Sequence, residues 1–140
     1  MGTSIRPEIS ERSRYYLPKH RLYELKHFCM QYGEWRKRYI SLTGYARMMG
    51  TTDCERVGGG FTSDPTEREA EARLYFAMRI EMVESTAREA AGDFSTLMLR
   101  AVTEDISYAQ LNARERIPCC RDTWYAMYRR FFWILDKKRG

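Results

Sequence analysis

Two histidines and four cysteines in 140 residues leave little from which to assemble a catalytic or metal centre. His20 and His27 could join Cys29 in an imagined zinc set, but His27 and Cys29 are two apart and point to different faces of a helix. No second Cys/His pair completes the usual zinc spacing. Cysteines stand at 29, 54, 119 and 120, two of them adjacent, and no secretory signal precedes them. A reduced, intracellular protein is the simplest expectation, with the cytoplasm as its place. No apolar run approaches the ~20 residues that a membrane span needs. The glycine run Gly58-Gly59-Gly60 is not followed by the Gly-Lys-Ser/Thr of a phosphate-binding loop. The carboxylate pairs Glu67/Glu71 and Glu81/Glu84 read better as solvated helix faces than as a nuclease centre. The expectation is a protein that is not an enzyme, with no cofactor and no metal.

What the chain does have is hydrophobic residues at 44%, which argues for a packed core, and aromatics at 14%, including ten tyrosines and three tryptophans. Its net charge of +5 is uneven. Residues 1–45 hold nine Lys/Arg against four Asp/Glu, residues 46–105 seven against twelve, and residues 106–140 eight against three. The ends are therefore basic and the middle is acidic. That pattern favours an anionic partner, nucleic acid before membrane. The plainer alternative is that such faces only keep a small domain soluble.

The spacing of apolar residues predicts an all-α protein of two helical units joined by a glycine-rich connector. Residues 1–42 form an N-terminal arm and helical hairpin, 43–63 a flexible linker, and 64–140 a long helix plus a three-helix unit. Met1–Arg14 is polar and reads as a loose arm. Leu22, Leu25, Phe28, Cys29 and Tyr32 recur at three- and four-residue spacing, so Pro18–Tyr32 is an amphipathic helix. Gly33 breaks or kinks it, and Glu34–Leu42 follows with Trp35, Tyr39 and Leu42 inward. Arg36, Lys37 and Arg38, with Lys19, make a secondary basic surface. Asp64 and Pro65 open a long helix to Ala91, with Glu67 in the capping-box position. A homodimer through that helix and a single-chain core role are equally open. Gly92 ends it, and Asp93 is placed to cap the next helix. The last unit is three helices at about 94–103, 107–114 and 121–137.

The final pair carries the functional argument. Ser107 is a plausible N-cap, Ile117-Pro118 stops the short helix, and the long basic helix restarts near Arg121. Trp124, Tyr128, Phe131 and Leu135 form a core-facing stripe. Arg121, Asp122, Thr123, Tyr125, Arg129 and Arg130 lie off it, with Lys137 and Lys138 at the end. Arginine pairs with guanine edges or phosphates, so such a helix suits a major groove. The alternative is a solvated basic face packed on a core, which many helical hairpins have. Cys119-Cys120 at the helix start reads as small residues in a tight turn before it reads as reactive thiols.

Asp64-Pro65-Thr66-Glu67-Arg68, the long helix after it, and the run from Ile117 through Tyr125 to Arg129-Arg130-Phe131-Phe132 resemble small phage late-gene transcriptional regulators of the RinA/ArpU type. The segment Tyr15–Lys37 also looks like prophage-encoded proteins of Gram-positive bacteria. The resemblance implies a helix-turn-helix similar to region 4 of sigma factors, sequence-specific binding to double-stranded DNA, and host RNA polymerase as a partner, in the cytoplasm of a bacterial host. It places recognition on Arg121, Asp122, Thr123, Tyr125, Arg129 and Arg130. The chain departs from the pattern in its aromatic end, Phe131-Phe132-Trp133, and in its N-terminal helices; either could serve a protein partner. Two other readings therefore stand beside it. One is a phage inhibitor of a host nucleic-acid enzyme, for example an anti-CRISPR against a Cas nuclease. The other is a small DNA-packaging subunit.

Overall fold

The computed structural model describes Arg12, residues 14–43 and residues 65–140. These are all-helical, with no strand among the described residues. The elements are α1 (Lys19–Met30), α2 (Tyr32–Leu42), α3 (Pro65–Ala91), a 3₁₀ turn (Gly92–Phe94), α4 (Ser95–Glu104), α5 (Tyr108–Glu115) and α6 (Arg121–Arg139). The expected glycine-rich connector and the Asp64 cap lie outside the described residues, as does most of the expected N-terminal arm.

Contacts divide the chain differently from the sequence expectation. One unit joins residues up to Gln31 to Met82–Gly140, and the other is Tyr32–Glu81. Within the first unit α1 packs on α4 and α6. The reason lies in the apolar face of α1. Leu25, Phe28 and Cys29 are buried there, beside Met98, Ala101 and Val102 of α4 and the Trp124–Leu135 stripe of α6 among the unit's buried residues. A stripe wide enough to be buried on more than one side needs more than one neighbouring helix.

The expected stripe holds. Trp124, Phe131 and Leu135 are 0% exposed and Tyr128 is 7% exposed. Phe132 is buried as well, in edge-to-face contact with Phe131 at 5.0 Å and Tyr128 at 5.1 Å. It therefore serves this chain's own core. Trp133 is half-buried, edge-on to Tyr15 at 5.4 Å, so the residues just before α1 are also tied to α6.

Charged pairs clasp the C-terminal half of α6. The Arg21 Nε donates to Asp136 Oδ1 at 2.6 Å. Lys138 Nζ donates to Ser85 Oγ at 2.9 Å and to Glu89 Oε2 at 2.8 Å, both on α3. Arg139 sits 4.0 Å over the Phe28 ring. Partly exposed pairs of this kind each contribute little energy, but together they fix the register of α6 against α1 and α3.

The helix boundaries show which local signals operate. Ser107 caps α5 in a full capping box, with Gln110 N–H donating to Ser107 Oγ at 3.2 Å and Ser107 N–H to Gln110 Oε1 at 3.1 Å. Gly92 ends α3 at φ +54°, where glycine avoids the Cβ clash. Two expectations are corrected. The break after α1 is at Gln31, in an ordinary right-handed turn whose N–H reaches Cys29 and Phe28 carbonyls, while Gly33 lies inside α2. Asp93 does not cap α4; it sits within the 3₁₀ turn, and Phe94 occupies the cap position with no side-chain bond.

In the second unit, Tyr32 and Trp35 are buried on α2, with Tyr39 and Leu42 half-buried. Arg38 lies 6.0 Å over the Phe76 ring of α3. Leu74, Tyr75 and Met78 of α3 are exposed at 60%, 49% and 59%.

Candidate nucleic-acid interface

The candidate face is built on the α5–turn–α6 segment. Tyr108, the first residue of α5, ties the two helices together. Its N–H donates to Tyr125 Oη at 3.1 Å, its own hydroxyl donates to the Cys119 carbonyl at 2.7 Å, and its ring lies 6.2 Å from Trp124. The turn is closed by Asn112. The Asn112 carbonyl accepts from Arg116 N–H at 2.8 Å, and Asn112 Oδ1 accepts from Ile117 N–H at 2.7 Å. Ile117 is buried at 5% exposure, which anchors the turn into the core. Helix α5 therefore stops at Glu115, before the Ile117-Pro118 pair, and Arg116 takes a positive φ of 45°.

Helix α6 then begins at Arg121, as expected. Its core stripe sets which residues face outward. Arg121, Asp122, Thr123 and Arg130 are exposed and Arg129 is half-exposed. Arg121, Arg129 and Arg130 make no ion pair among the described residues. They are cations of α6 without an ion pair there, Arg129 and Arg130 adjacent in mid-helix and Arg121 at its N-terminal end. Asp122, in the first turn, suits the positive end of the helix dipole and opposes a phosphate. Thr123 Oγ1 lies 3.3 Å from Cys120 Sγ.

Three other predicted residues are occupied within the protein. Tyr125 is half-buried, its ring 5.5 Å from Tyr128 and its hydroxyl accepting from α5, so it braces the hairpin. Lys137 lies 4.3 Å over the Trp133 ring. Lys138 is bound to Ser85 and Glu89. Lys138 is thereby tied to α3, whereas Lys137 remains exposed. Of the secondary set, Lys19 belongs to the first unit and Arg36, Lys37 and Arg38 to the second. Lys19 lies 5.9 Å over Tyr23, Arg36 lies 6.0 Å over Tyr32, and Arg38 reaches Glu34 at 3.4 Å. Lys37 is exposed.

Two further cations, absent from the sequence expectation, lie in the same α5–turn–α6 segment. Arg114 and Arg116 are exposed, and neither is in an ion pair among the described residues. Glu115, between them, is held by Arg100 of α4, which also reaches Glu104 at 3.8 Å. The signal was present in the run Arg114-Glu115-Arg116 ahead of Ile117-Pro118. What the sequence could not show is that Glu115 would be taken by another helix.

Among the described residues the histidines and cysteines are not brought together. His20 and His27 are exposed, while Cys29 is 0% exposed and its thiol is pushed far up by burial. Cys120, fully exposed, has its pKa lowered by hydrogen bonding from Thr123, whereas desolvation raises that of Cys119. Only the thiolate is nucleophilic. Alkylation with iodoacetamide at neutral pH, read by peptide mass spectrometry, is therefore expected to modify Cys120 before Cys119, and Cys29 only on unfolding. Equal labelling of Cys29 and Cys120 in the folded protein would contradict this burial pattern.

Comparison with protein-family models, with curated proteins and with solved structures finds no match for this chain.

Proposed function

We propose that this chain is a non-enzymatic protein that binds duplex DNA through the α5–turn–α6 segment, and that it acts as a transcriptional regulator of the phage late-gene kind. The observation that carries the reading is the set Arg121 and Arg130, exposed, and Arg129, half-exposed, in no ion pair among the described residues, on a helix whose apolar stripe is locked into a core. A rigid helix presenting arginines is what phosphate and base-edge contacts require. The bracing of α6 by Tyr108 and Tyr125 supports it, because a reading helix has to hold its orientation.

The test is binding of the purified chain to duplex DNA from its own genomic neighbourhood across a salt series, with its mass measured in solution. The expected result is binding whose log affinity falls linearly with log salt, by about 0.9 per phosphate contact. No binding at low salt would remove DNA as the partner. A mass of a monomer or dimer fits a regulator, and a ring-sized oligomer fits a packaging subunit.

A second reading has its own observation. Leu74, Tyr75 and Met78 expose apolar surface on one stretch of α3, and Arg79 stacks 3.8 Å over Tyr75. Contiguous exposed apolar and aromatic side chains favour a protein partner. On that reading the chain is a phage inhibitor that occupies a host nucleic-acid enzyme, a Cas nuclease or RNA polymerase among them. Co-elution with such an enzyme while free DNA is ignored would favour it.

A further inference from the structure

We propose that Arg116, in the turn between α5 and α6, is a backbone-phosphate contact of the DNA-binding face, and that the strained turn is the device that presents it. This rests on the duplex-DNA reading above and adds to it a residue outside the recognition helix.

The argument starts from the backbone. Among the described residues only Asp105 and Arg116 have positive φ without being glycine. Asp105 has a local reason. It ends α4 in the left-handed region, at φ 55° and ψ 51°, which a short polar side chain tolerates. Arg116 has no such excuse. At φ 45° and ψ 93° it lies in a conformation that a long side chain disfavours and that glycine adopts without a Cβ clash. Glycine is the common residue just past a helix end for that reason. This chain places a guanidinium there instead.

The conformation is imposed from both sides. The Asn112 carbonyl takes the N–H of Arg116 and the Asn112 side chain takes the N–H of Ile117. Ile117 is buried and Pro118 follows it, so the chain on the far side is fixed too. Strain held this way is found where a side chain must be aimed. The side chain itself has no structural employment among the described residues. It is exposed and in no ion pair, and the nearest acid in sequence, Glu115, is neutralised by Arg100. Arg114 and Arg121, also exposed and unpaired, stand within five residues on either side. A guanidinium with its neighbouring acid already taken recognises an oxyanion, and the oxyanions that a helix-turn-helix face meets are backbone phosphates. Asn112 is then a positioning residue that acts through the turn.

The experiment compares the full chain with Arg116→Gly and Arg116→Lys in salt titrations against two duplexes of unrelated sequence, with a melting curve for each protein. Gly removes the charge and relieves the backbone, whereas Lys keeps the charge on the same backbone. Arg116→Gly is expected to melt no lower than the parent, to bind both duplexes roughly tenfold more weakly, and to lower the salt slope by about 0.9. Arg116→Lys is expected to keep the parent's slope. A merely structural arginine would not move the slope. If Arg116→Gly binds with the parent's affinity and slope, the assignment is overturned while DNA binding stands. If the parent itself binds neither duplex at low salt, the DNA reading fails and this inference fails with it.

Discussion

Trp124→Ala is expected to lower the free energy of unfolding by about 3–5 kcal/mol, as large-to-small changes at fully buried aromatic positions do. Trp124 is 0% exposed, at the point where α5, the turn and α6 meet, with the Tyr108 ring 6.2 Å away. Removing the indole opens a cavity beside Tyr108 of α5. Against a typical domain stability of about 5–15 kcal/mol, the loss removes a large share of the total. The companion variant makes the prediction sharper. Trp124 Nε1 is buried without a hydrogen-bond partner among the described residues. Trp124→Phe therefore removes volume but breaks no hydrogen bond, and it leaves no donor unsatisfied. It is expected to cost less than about 2 kcal/mol. Urea unfolding followed by far-ultraviolet circular dichroism measures both. A cost for phenylalanine well above about 2 kcal/mol would mean that the indole N–H is bonded after all. A cost under about 1 kcal/mol for alanine would remove Trp124 from the core.

The order of success along the chain follows the range of the forces. The α6 stripe, the Ser107 cap, Pro65 at the head of α3 and Gly92 at its end were all legible, because each is set by residues within about four positions of one another. The failures are of two kinds. The first is competition between local signals: Gly33 was the expected break, yet Gln31 closes α1 in a right-handed turn and the glycine continues as helix. Glycine permits a break and does not force one. The second is distance. Arg21 meets Asp136 across 115 positions, and Lys138 meets Ser85 and Glu89 across 53 and 49. No periodicity encodes such pairs. Hence contacts group α1 with the C-terminal helices, which periodicity does not indicate, and Lys138, expected in the DNA-binding set, is bonded to α3. The candidate face was legible as a set of basic residues off the stripe. Which of them are free is decided by tertiary pairing. That sorting retains Arg121, Arg129 and Arg130, adds Arg114 and Arg116, and gives Tyr125 a bracing role.

The same sorting fixes the largest expected effect on binding. Arg129 and Arg130 are adjacent on α6, unpaired among the described residues, one half-exposed and the other exposed. Flanking them on the helix are Tyr128 and Phe131, both buried, so the backbone that carries them is held. Reversing both charges, Arg129→Glu with Arg130→Glu, is expected to weaken duplex binding by at least about a hundredfold at physiological salt, since two charge-assisted contacts are lost at about 1.5 kcal/mol or more each. The salt slope is expected to fall by about 1.8, twice the value for one phosphate. Stability is expected to change little, because neither side chain supports the core and solvated charge changes usually stay within about 0.5 kcal/mol. The control is the double reversal Lys137→Glu with Lys138→Glu. It changes as much charge on the same helix, but at residues occupied by Trp133, Ser85 and Glu89. Long-range attraction falls off within about 8 Å at physiological salt, so an effect of net charge alone is mostly screened there. If the two double variants lose binding equally at physiological salt and both stay folded, then it is the total charge of α6 that matters, and Arg129 and Arg130 are not the interface. A hundredfold loss confined to the Arg129/Arg130 variant, with the circular dichroism of both proteins unchanged, would place phosphate contacts on Arg129 and Arg130.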